Sequence, residues 1–356
     1  MKNRVHKSFG TIPLIVFLFL LSCAPSDLDR GNAYLIKGQY DEAISDYNKA
    51  LEKNPRNTEA YCNRGVAYWH KGDYEQAMSD LNKSIEINPK LTEPHFNRGL
   101  VYVSKGQYDE AISDYNKALQ INPKLAEAYC ARGRTYLLKG EYEQAMSDLN
   151  KAIEMNPRLA EAYYNRGDAY GSKGQFDEAL SDFNKALEIN PKLTKAHFNR
   201  GIAYLHKGQY GNAISDFSKT LEMNPKLAEA YINRGAAHEH KGEYDQAISD
   251  YNRVLEINPK DAAACNNFAW LLATAKEARF RNGTKAVELA LKACELSDWK
   301  DPENLDTLAA AYARVGDYGN AIKWQEKALE SPHIYKQNEA QERLNFYQQH
   351  KPWPSD

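Results

Sequence analysis

The sequence predicts an all-α fold, a right-handed α-solenoid of stacked antiparallel helix hairpins that ends in a C-terminal capping helix. Three sets of residues recur every 34 residues along the chain, and this recurrence is the main observation behind the prediction. The first set is a proline series: Pro55, Pro89, Pro123, Pro157, Pro191, Pro225 and Pro259. The other two are glycine series: Gly31, Gly65, Gly99, Gly133, Gly167, Gly201 and Gly235, then Gly38, Gly72, Gly106, Gly140, Gly174, Gly208 and Gly242. Units this short bury their apolar faces only against neighbours, so they must stack.

One period, residues 58–91, illustrates how each repeat forms two helices, here named helix A and helix B. Helix A is predicted at about 59–71 and ends at Gly72, which can adopt the left-handed conformation that a helix end requires. Helix B starts after Asp73, a residue type favoured at helix N-termini. It ends at Asn88-Pro89, because asparagine suits a left-handed cap and proline cannot continue a helix. The period therefore predicts a helix hairpin.

The residues that fill each hairpin resemble a known repeat pattern. Helix A carries a glycine and then an aromatic residue, and helix B carries alanine, an aromatic residue, alanine and proline. In the first period these are Gly31, Tyr34, Ala43, Tyr47, Ala50 and Pro55. This pattern resembles the tetratricopeptide repeat family. The resemblance implies a right-handed superhelix in which helix A lines the concave groove, the usual ligand surface of that family.

The pattern divides the chain into four segments. Seven regular repeats occupy residues 23–261, after a signal peptide at 1–22. Two divergent hairpins follow at 262–333, the first with an insertion at about 275–283. The last segment, 334–356, holds a capping helix that is expected to point Leu344 and Phe346 inward and its Gln, Glu and Arg side chains outward. No segment remains for a catalytic domain, so we predict no enzyme activity and no cofactor.

The N-terminus reads as an export signal. Basic residues precede an apolar run at 12–21, which is too short to cross a bilayer and ends in Leu-Ser-Cys-Ala-Pro-Ser. This end resembles a bacterial lipobox. The resemblance implies that the chain is a bacterial lipoprotein and that Cys23 is acylated with lipid, including palmitate. Ala24 after the cysteine implies the outer membrane, facing the periplasm. An ordinary secretory signal with an incidental cysteine is the alternative.

A line of asparagines is the candidate binding site on helix A. Six asparagines stand at this repeat position, and Asp29 and Ala131 interrupt the series: Asn63, Asn97, Asn165, Asn199, Asn233 and Asn267. Equivalent positions of stacked helices lie about 10 Å apart, and a carboxamide both donates and accepts hydrogen bonds, so the line is suited to the backbone of an extended peptide. It resembles the asparagine ladder of O-linked N-acetylglucosamine transferases. Alternatively, the asparagines bond within their own repeats or only solvate the groove.

Apolar residues are expected beside this line, one position earlier: Phe96, Tyr164, Phe198 and Ile232. They are suited to a partner's hydrophobic side chains, unless they pack against the adjacent helix A. The arginine series that includes Arg64 and Arg98 is interpreted as local ion pairs with nearby Glu and Asp. Because 46 basic and 48 acidic residues leave a net charge of -2, nucleic acid is not expected as a partner.

Cysteine and histidine positions bear on disulfide and metal chemistry. Cys265 near the start of helix A and Cys294 near the end of helix B face each other across one hairpin. A disulfide between them suits an oxidising periplasm, and two buried thiols are the alternative. His238 and His240 point to different sides of their helix, so we predict no metal site.

These observations predict a non-catalytic scaffold or adaptor. It binds extended peptide segments of other proteins in the concave groove while a lipid anchor holds it to the bacterial cell envelope. Two alternatives remain open: a structural or oligomerising component of an envelope complex, and a binding subunit for a separately encoded enzyme.

Overall fold

The structure is a computed structural model that describes residues 25–332, 334 and 337–353. These residues form α-helices and one short 3-10 helix, with no strand among them. The predicted all-α fold of stacked antiparallel hairpins is confirmed. Cys23 and the predicted signal peptide at 1–22 lie outside the described residues. Within the described part of the chain, no helix has the length and apolar character needed to span a membrane.

The chain forms two compact units, the first ending at Pro191 and the second beginning at Lys192. The first unit contains α1 Asp27–Ile36, α2 Tyr40–Lys53, α3 Thr58–Lys71, α4 Tyr74–Ile87, α5 Thr92–Ser104, α6 Tyr108–Ile121, α7 Ala126–Lys139, α8 Tyr142–Met155, α9 Ala160–Ser172 and α10 Phe176–Ile189. From α1 to α18, odd-numbered helices are helix A and even-numbered helices are helix B. Within this unit each helix A packs on its own helix B, and that helix B packs on the helix A that follows.

The second unit continues the same hairpin order. It contains α11 Thr194–His206, α12 Tyr210–Met223, α13 Ala228–His240, α14 Tyr244–Ile257, α15 Ala262–Thr274, α16 Gly283–Leu296, α17 Pro302–Arg314, α18 Tyr318–Leu329 and α19 Gln337–Gln348. The predicted insertion lies between α15 and α16 and holds the 3-10 helix Ala278–Phe280. The last helix, α19, packs on α18 and α17 as the capping helix was expected to do.

The helix ends follow the sequence signals, with two differences. Gly72 ends α3 with a φ of 83°, in the predicted left-handed conformation. Asp73 precedes α4, but its side chain makes no capping hydrogen bond. The prediction of a left-handed Asn88 is wrong, because its φ of -143° is extended; a residue before proline disfavours helical conformations. The Asn88 side chain instead closes the turn by accepting from the Lys90 N–H at 3.1 Å.

A close approach between helix A and helix B explains the first glycine series. A Cβ atom added to Gly99 would lie 2.5 Å from Cε1 of Tyr115, whose ring is fully buried. The position therefore admits only glycine without movement of the ring. The same relation joins Gly31 to Tyr47, Gly167 to Phe183, Gly201 to Phe217 and Gly235 to Tyr251, and a leucine replaces the ring at Gly65 and Gly133.

An arginine of helix A holds each regular hairpin together. Nε and Nη2 of Arg98 donate to the two carboxylate oxygens of Asp114 in helix B, both at 2.7 Å. Nη1 donates to Oδ1 of Asn82 in the preceding hairpin at 2.6 Å. The same two-bond ion pair between helix A and helix B recurs in the other regular hairpins as Arg30–Asp46, Arg64–Asp80, Arg132–Asp148, Arg166–Asp182, Arg200–Asp216 and Arg234–Asp250. The interpretation of the arginines as local ion pairs is confirmed, with an aspartate of helix B as the partner.

The capping helix is anchored by a buried ion pair. Leu344 is buried as predicted and Phe346 is half-buried, but Arg343 is also buried, so the expectation that arginine faces outward is wrong. Nε and Nη2 of Arg343 donate to the two oxygens of Asp306 in α17, at 2.9 and 2.8 Å. Gln325 of α18 donates to the same carboxylate at 2.7 Å. Arg343 is drawn inward because a buried carboxylate needs a countercharge.

Candidate functional site

In the first unit, the side chains of the predicted asparagine line are buried. Asn63, Asn97 and Asn165 are only 5%, 6% and 4% exposed. Each amide donates to the preceding repeat: Asn63 Nδ2 to Asn32 Oδ1 at 2.8 Å, Asn97 Nδ2 to Cys62 Sγ at 3.3 Å and Asn165 Nδ2 to Cys130 Sγ at 3.4 Å. These hydrogen bonds join neighbouring repeats rather than atoms of one repeat. These three side chains therefore do not present open amides to a ligand.

The same line is more open in the second unit, where Asn199, Asn233 and Asn267 are half-buried. Within the described residues, the carboxamides of Asn233 and Asn267 make no hydrogen bond. They lie at equivalent positions of α13 and α15, which pack against each other, so their spacing is about 10 Å.

The preceding repeat explains which amides are occupied. Asn97 donates its hydrogen bond to Cys62, and Asn165 donates its hydrogen bond to Cys130. Each cysteine stands 35 residues before its asparagine. At the corresponding place before Asn233 and Asn267 stand Phe198 and Ile232, whose side chains have no atom that accepts a hydrogen bond. The amides of Asn233 and Asn267 are therefore available to a ligand.

The predicted apolar residues of the groove differ in accessibility. Phe96 is 1% exposed, and its ring centroid lies 5.9 Å from that of Tyr115. The prediction of Phe96 as a groove residue is wrong, because its ring fills the space between α5 and α6. Tyr164, Phe198 and Ile232 are half-buried and keep part of their surface accessible.

One face of α13 carries a further residue that the sequence analysis missed. Ile232, Ala236 and Glu239 follow each other at the i, i+4 and i+7 spacing of one helix face, and all three are half-buried. Glu239 accepts a hydrogen bond from the Tyr251 hydroxyl at 3.2 Å. Burial raises the pKa of the Glu239 carboxyl to about 7. The signal was available in the repeat alignment, where the corresponding residues are uncharged: Trp69, Val103, Leu137, Gly171 and Leu205.

The four cysteines in the described part of the chain form no disulfide. Cys265 and Cys294 are both free, buried thiols, so the predicted disulfide is not formed in the structure. The Cys294 thiol contacts the Asn304 carbonyl oxygen of α17 at 3.4 Å rather than Cys265 of α15. Burial raises the pKa of Cys294 to about 12, which keeps the thiol protonated and unreactive. Among the described residues, no group of His, Cys, Asp and Glu is arranged to hold a metal ion.

The hairpins and their partly open helix-A faces define a helical-repeat scaffold, a class of protein that binds other proteins. The family described as TPR repeat matches residues 31–72, 99–140 and 133–174. Two models described as tetratricopeptide repeat match 58–91, 160–193, 194–227 and 228–261, and 302–332. The chain belongs to the tetratricopeptide repeat family, whose fold is typically non-catalytic and whose members commonly bind other proteins. No curated protein matches the chain.

Several solved structures are similar to this chain. The APC/C hetero-tetramer Cut9-Hcn1 has 18% identity and a TM-score of 0.60, with 80% of this chain and 55% of that chain covered. Pseudomonas aeruginosa pilF has 20% identity and a TM-score of 0.55, covering 59% and 97%. A tetratricopeptide repeat protein from Parabacteroides merdae has 23% identity and a TM-score of 0.50, covering 65% and 92%. At these identities the likeness supports the fold alone.

Proposed function

We propose that this chain is a non-catalytic scaffold that binds extended peptide segments of other proteins on the helix-A face of its second unit. The observation that carries the proposal is the pair of half-buried amides at Asn233 and Asn267, which have no protein partner among the described residues. Each carboxamide can donate to a peptide carbonyl and accept from a peptide N–H. Their spacing of about 10 Å corresponds to three residues of an extended chain, at about 3.3 Å per residue.

Apolar surface beside the amides supports the same function. Phe198 and Ile232 precede the equivalent asparagines of α11 and α13 and remain half-buried. The buried parts of these two side chains are already ordered by the fold. Binding a ligand therefore costs less side-chain conformational entropy than it would if these side chains were fully mobile. The amides would then hold the peptide backbone, and the apolar residues would contact its side chains.

The double variant Asn233→Ala/Asn267→Ala is expected to weaken peptide capture at least tenfold. Each asparagine removed takes away about 1 kcal/mol of net hydrogen bonding to the peptide. The two losses together exceed the roughly 1.4 kcal/mol that corresponds to a tenfold change in affinity. Client segments are first identified with a photocrosslinking residue placed at Ile232 in the full chain. Their affinities for wild type and variant are then measured by fluorescence anisotropy.

Asn252→Ala is the matched control, because Asn252 is an exposed asparagine on helix B of the same unit. It should leave affinity unchanged, and circular dichroism should show equal helicity for all three proteins. Equal affinities of the double variant and wild type would contradict the role of the amides. Crosslinks from the same residue placed at Asn252 on helix B, with none from Ile232, would favour the structural or oligomerising component instead.

We also propose that a lipid on Cys23 tethers the chain to the bacterial cell envelope, at the outer membrane facing the periplasm. The basic residues, the apolar run and the Leu-Ser-Cys sequence at the N-terminus support this proposal. It places the binding face next to envelope proteins.

Cys23→Ser is expected to move the protein from the membrane fraction to the soluble periplasmic fraction, because the acylated thiol is lost. Fractionation with immunoblotting measures the shift, and intact-mass analysis detects the lipid. Cys62→Ser makes the same chemical change within α3 and should leave the protein in the membrane fraction. Retention of the Cys23→Ser protein on membranes would mean that the anchor is not at this cysteine.

A further inference from the structure

Glu239 is a half-buried acidic residue on the helix-A face with no cation beside it. Its hydrogen bond comes from the neutral Tyr251 hydroxyl, and no ion pair forms with it among the described residues. The basic residues next to it in sequence are engaged elsewhere: His238 and Lys241 both contact the carboxylate of Glu243, and the His240 ring stacks on Tyr210. Glu239 thus differs from Asp250 of the same hairpin, which is held by Arg234.

An uncompensated carboxyl group in this position is costly. Burial raises the pKa of Glu239 to about 7, which shows how strongly the site disfavours the negative charge in the absence of a countercharge. A cation brought to the site would stabilise the ionised carboxylate, and the pair would form in a partly dry environment where charge-assisted hydrogen bonds are strong. Glu239 can therefore supply the anion of an ion pair whose cation belongs to a bound ligand.

The distance between Glu239 and the peptide line fits a long side chain. Glu239 lies six residues after Asn233 on α13, which is about 9 Å along the helix axis at 1.5 Å per residue. This rise is about the length of an extended lysine or arginine side chain with one hydrogen bond, so these long basic side chains fit it best. Ala236 lies between the two groups along α13, and Ile232 shares one helix face with Ala236 and Glu239. Together Ile232 and Ala236 offer an apolar surface for the methylene stem of such a side chain.

We propose that Glu239 is a specificity-determining residue, which selects peptide segments that carry a lysine or arginine at the position whose backbone pairs with Asn233. The inference rests on the proposed peptide binding and adds the chemical class of the segment: extended, apolar in part, with one basic residue. Residues at the equivalent place in the other regular repeats are uncharged, so this selection is confined to α13.

The test is a positional library of ten-residue peptides with one fixed residue, measured by fluorescence anisotropy against the full chain. The fixed residue is lysine, arginine, or norleucine, which keeps the lysine stem and removes the charge. Wild type should prefer lysine or arginine about tenfold over norleucine, and Glu239→Gln should bind all three equally. Glutamine keeps an acceptor for Tyr251, and circular dichroism verifies the fold of the variant. Glu222→Gln, which neutralises an exposed carboxylate on α12, should keep the wild-type preference.

The possible results separate this inference from the function on which it rests. Equal binding of lysine and norleucine peptides by wild type would overturn the role of Glu239, as would a lysine preference that survives in Glu239→Gln. If Asn233→Ala/Asn267→Ala weakens the binding of every peptide while Glu239→Gln changes the affinity of none, only this inference fails. If wild type binds no peptide of the library, the proposed function and this inference fall together.

Discussion

Gly99→Ala is expected to destabilise the first unit by about 3 kcal/mol, the upper end of the usual range for an overfilled core. The added Cβ would stand 2.5 Å from a ring carbon of Tyr115, and that ring is fully buried and cannot turn toward solvent. Either α5 and α6 must separate or the ring must leave its rotamer. Urea unfolding followed by circular dichroism measures the loss, and hydrogen exchange mass spectrometry should locate it in α5 and α6.

Gly211→Ala is the matched control for this substitution. Gly211 lies in α12 with no atom within 4 Å of an added Cβ and no positive φ. Alanine is the better helix former by up to about 1 kcal/mol, so this variant should be as stable as wild type or more so. A similar loss in both variants would mean that the glycine series reflects backbone conformation and not the contact with the helix-B ring.

Arg343→Met is expected to cost about 3–5 kcal/mol, because it leaves Asp306 buried without a countercharge. Burial already raises the pKa of Asp306, and the adjacent Arg343 opposes that rise. Without the arginine the carboxyl stays protonated in the folded state to a higher pH, while it ionises in the unfolded state. The stability deficit should therefore grow from pH 5 to pH 8. Tryptophan fluorescence during urea unfolding reports this unit through Trp270 and Trp353, whose rings lie 5.4 and 6.0 Å from the guanidinium.

Two further variants test the cause of that loss. Lys285→Met breaks an exposed pair with Glu288, whose side chains are 43% and 66% exposed, and should cost under about 1 kcal/mol. The double variant Asp306→Leu/Arg343→Met replaces the buried charges with apolar side chains and should recover much of the lost stability. A double variant no more stable than Arg343→Met alone would show that packing of the arginine, and not the orphaned charge, is responsible.

The sequence by itself determined the hairpin fold and the approximate limits of its helices. Glycine and proline recur at fixed positions and act through local backbone geometry, so residues such as Gly72 and Pro89 end their helices whatever surrounds them. The regular spacing also predicted that arginines such as Arg98 form local ion pairs, and the structure identified Asp114 of helix B as the partner. It likewise placed every residue of the candidate ladder on helix A.

The tertiary structure decided which of those residues a ligand can reach. Asn97 and Asn233 occupy the same repeat position, yet Asn97 is buried and donates to Cys62 of the preceding repeat. Before Asn233, Phe198 stands at the place of Cys62, and the Asn233 amide makes no hydrogen bond among the described residues. Burial of Arg343 and Phe96 likewise depends on contacts between helices. A repeat pattern specifies the face of a helix, but accessibility is set by the side chains of the neighbouring repeat, and those vary from one period to the next.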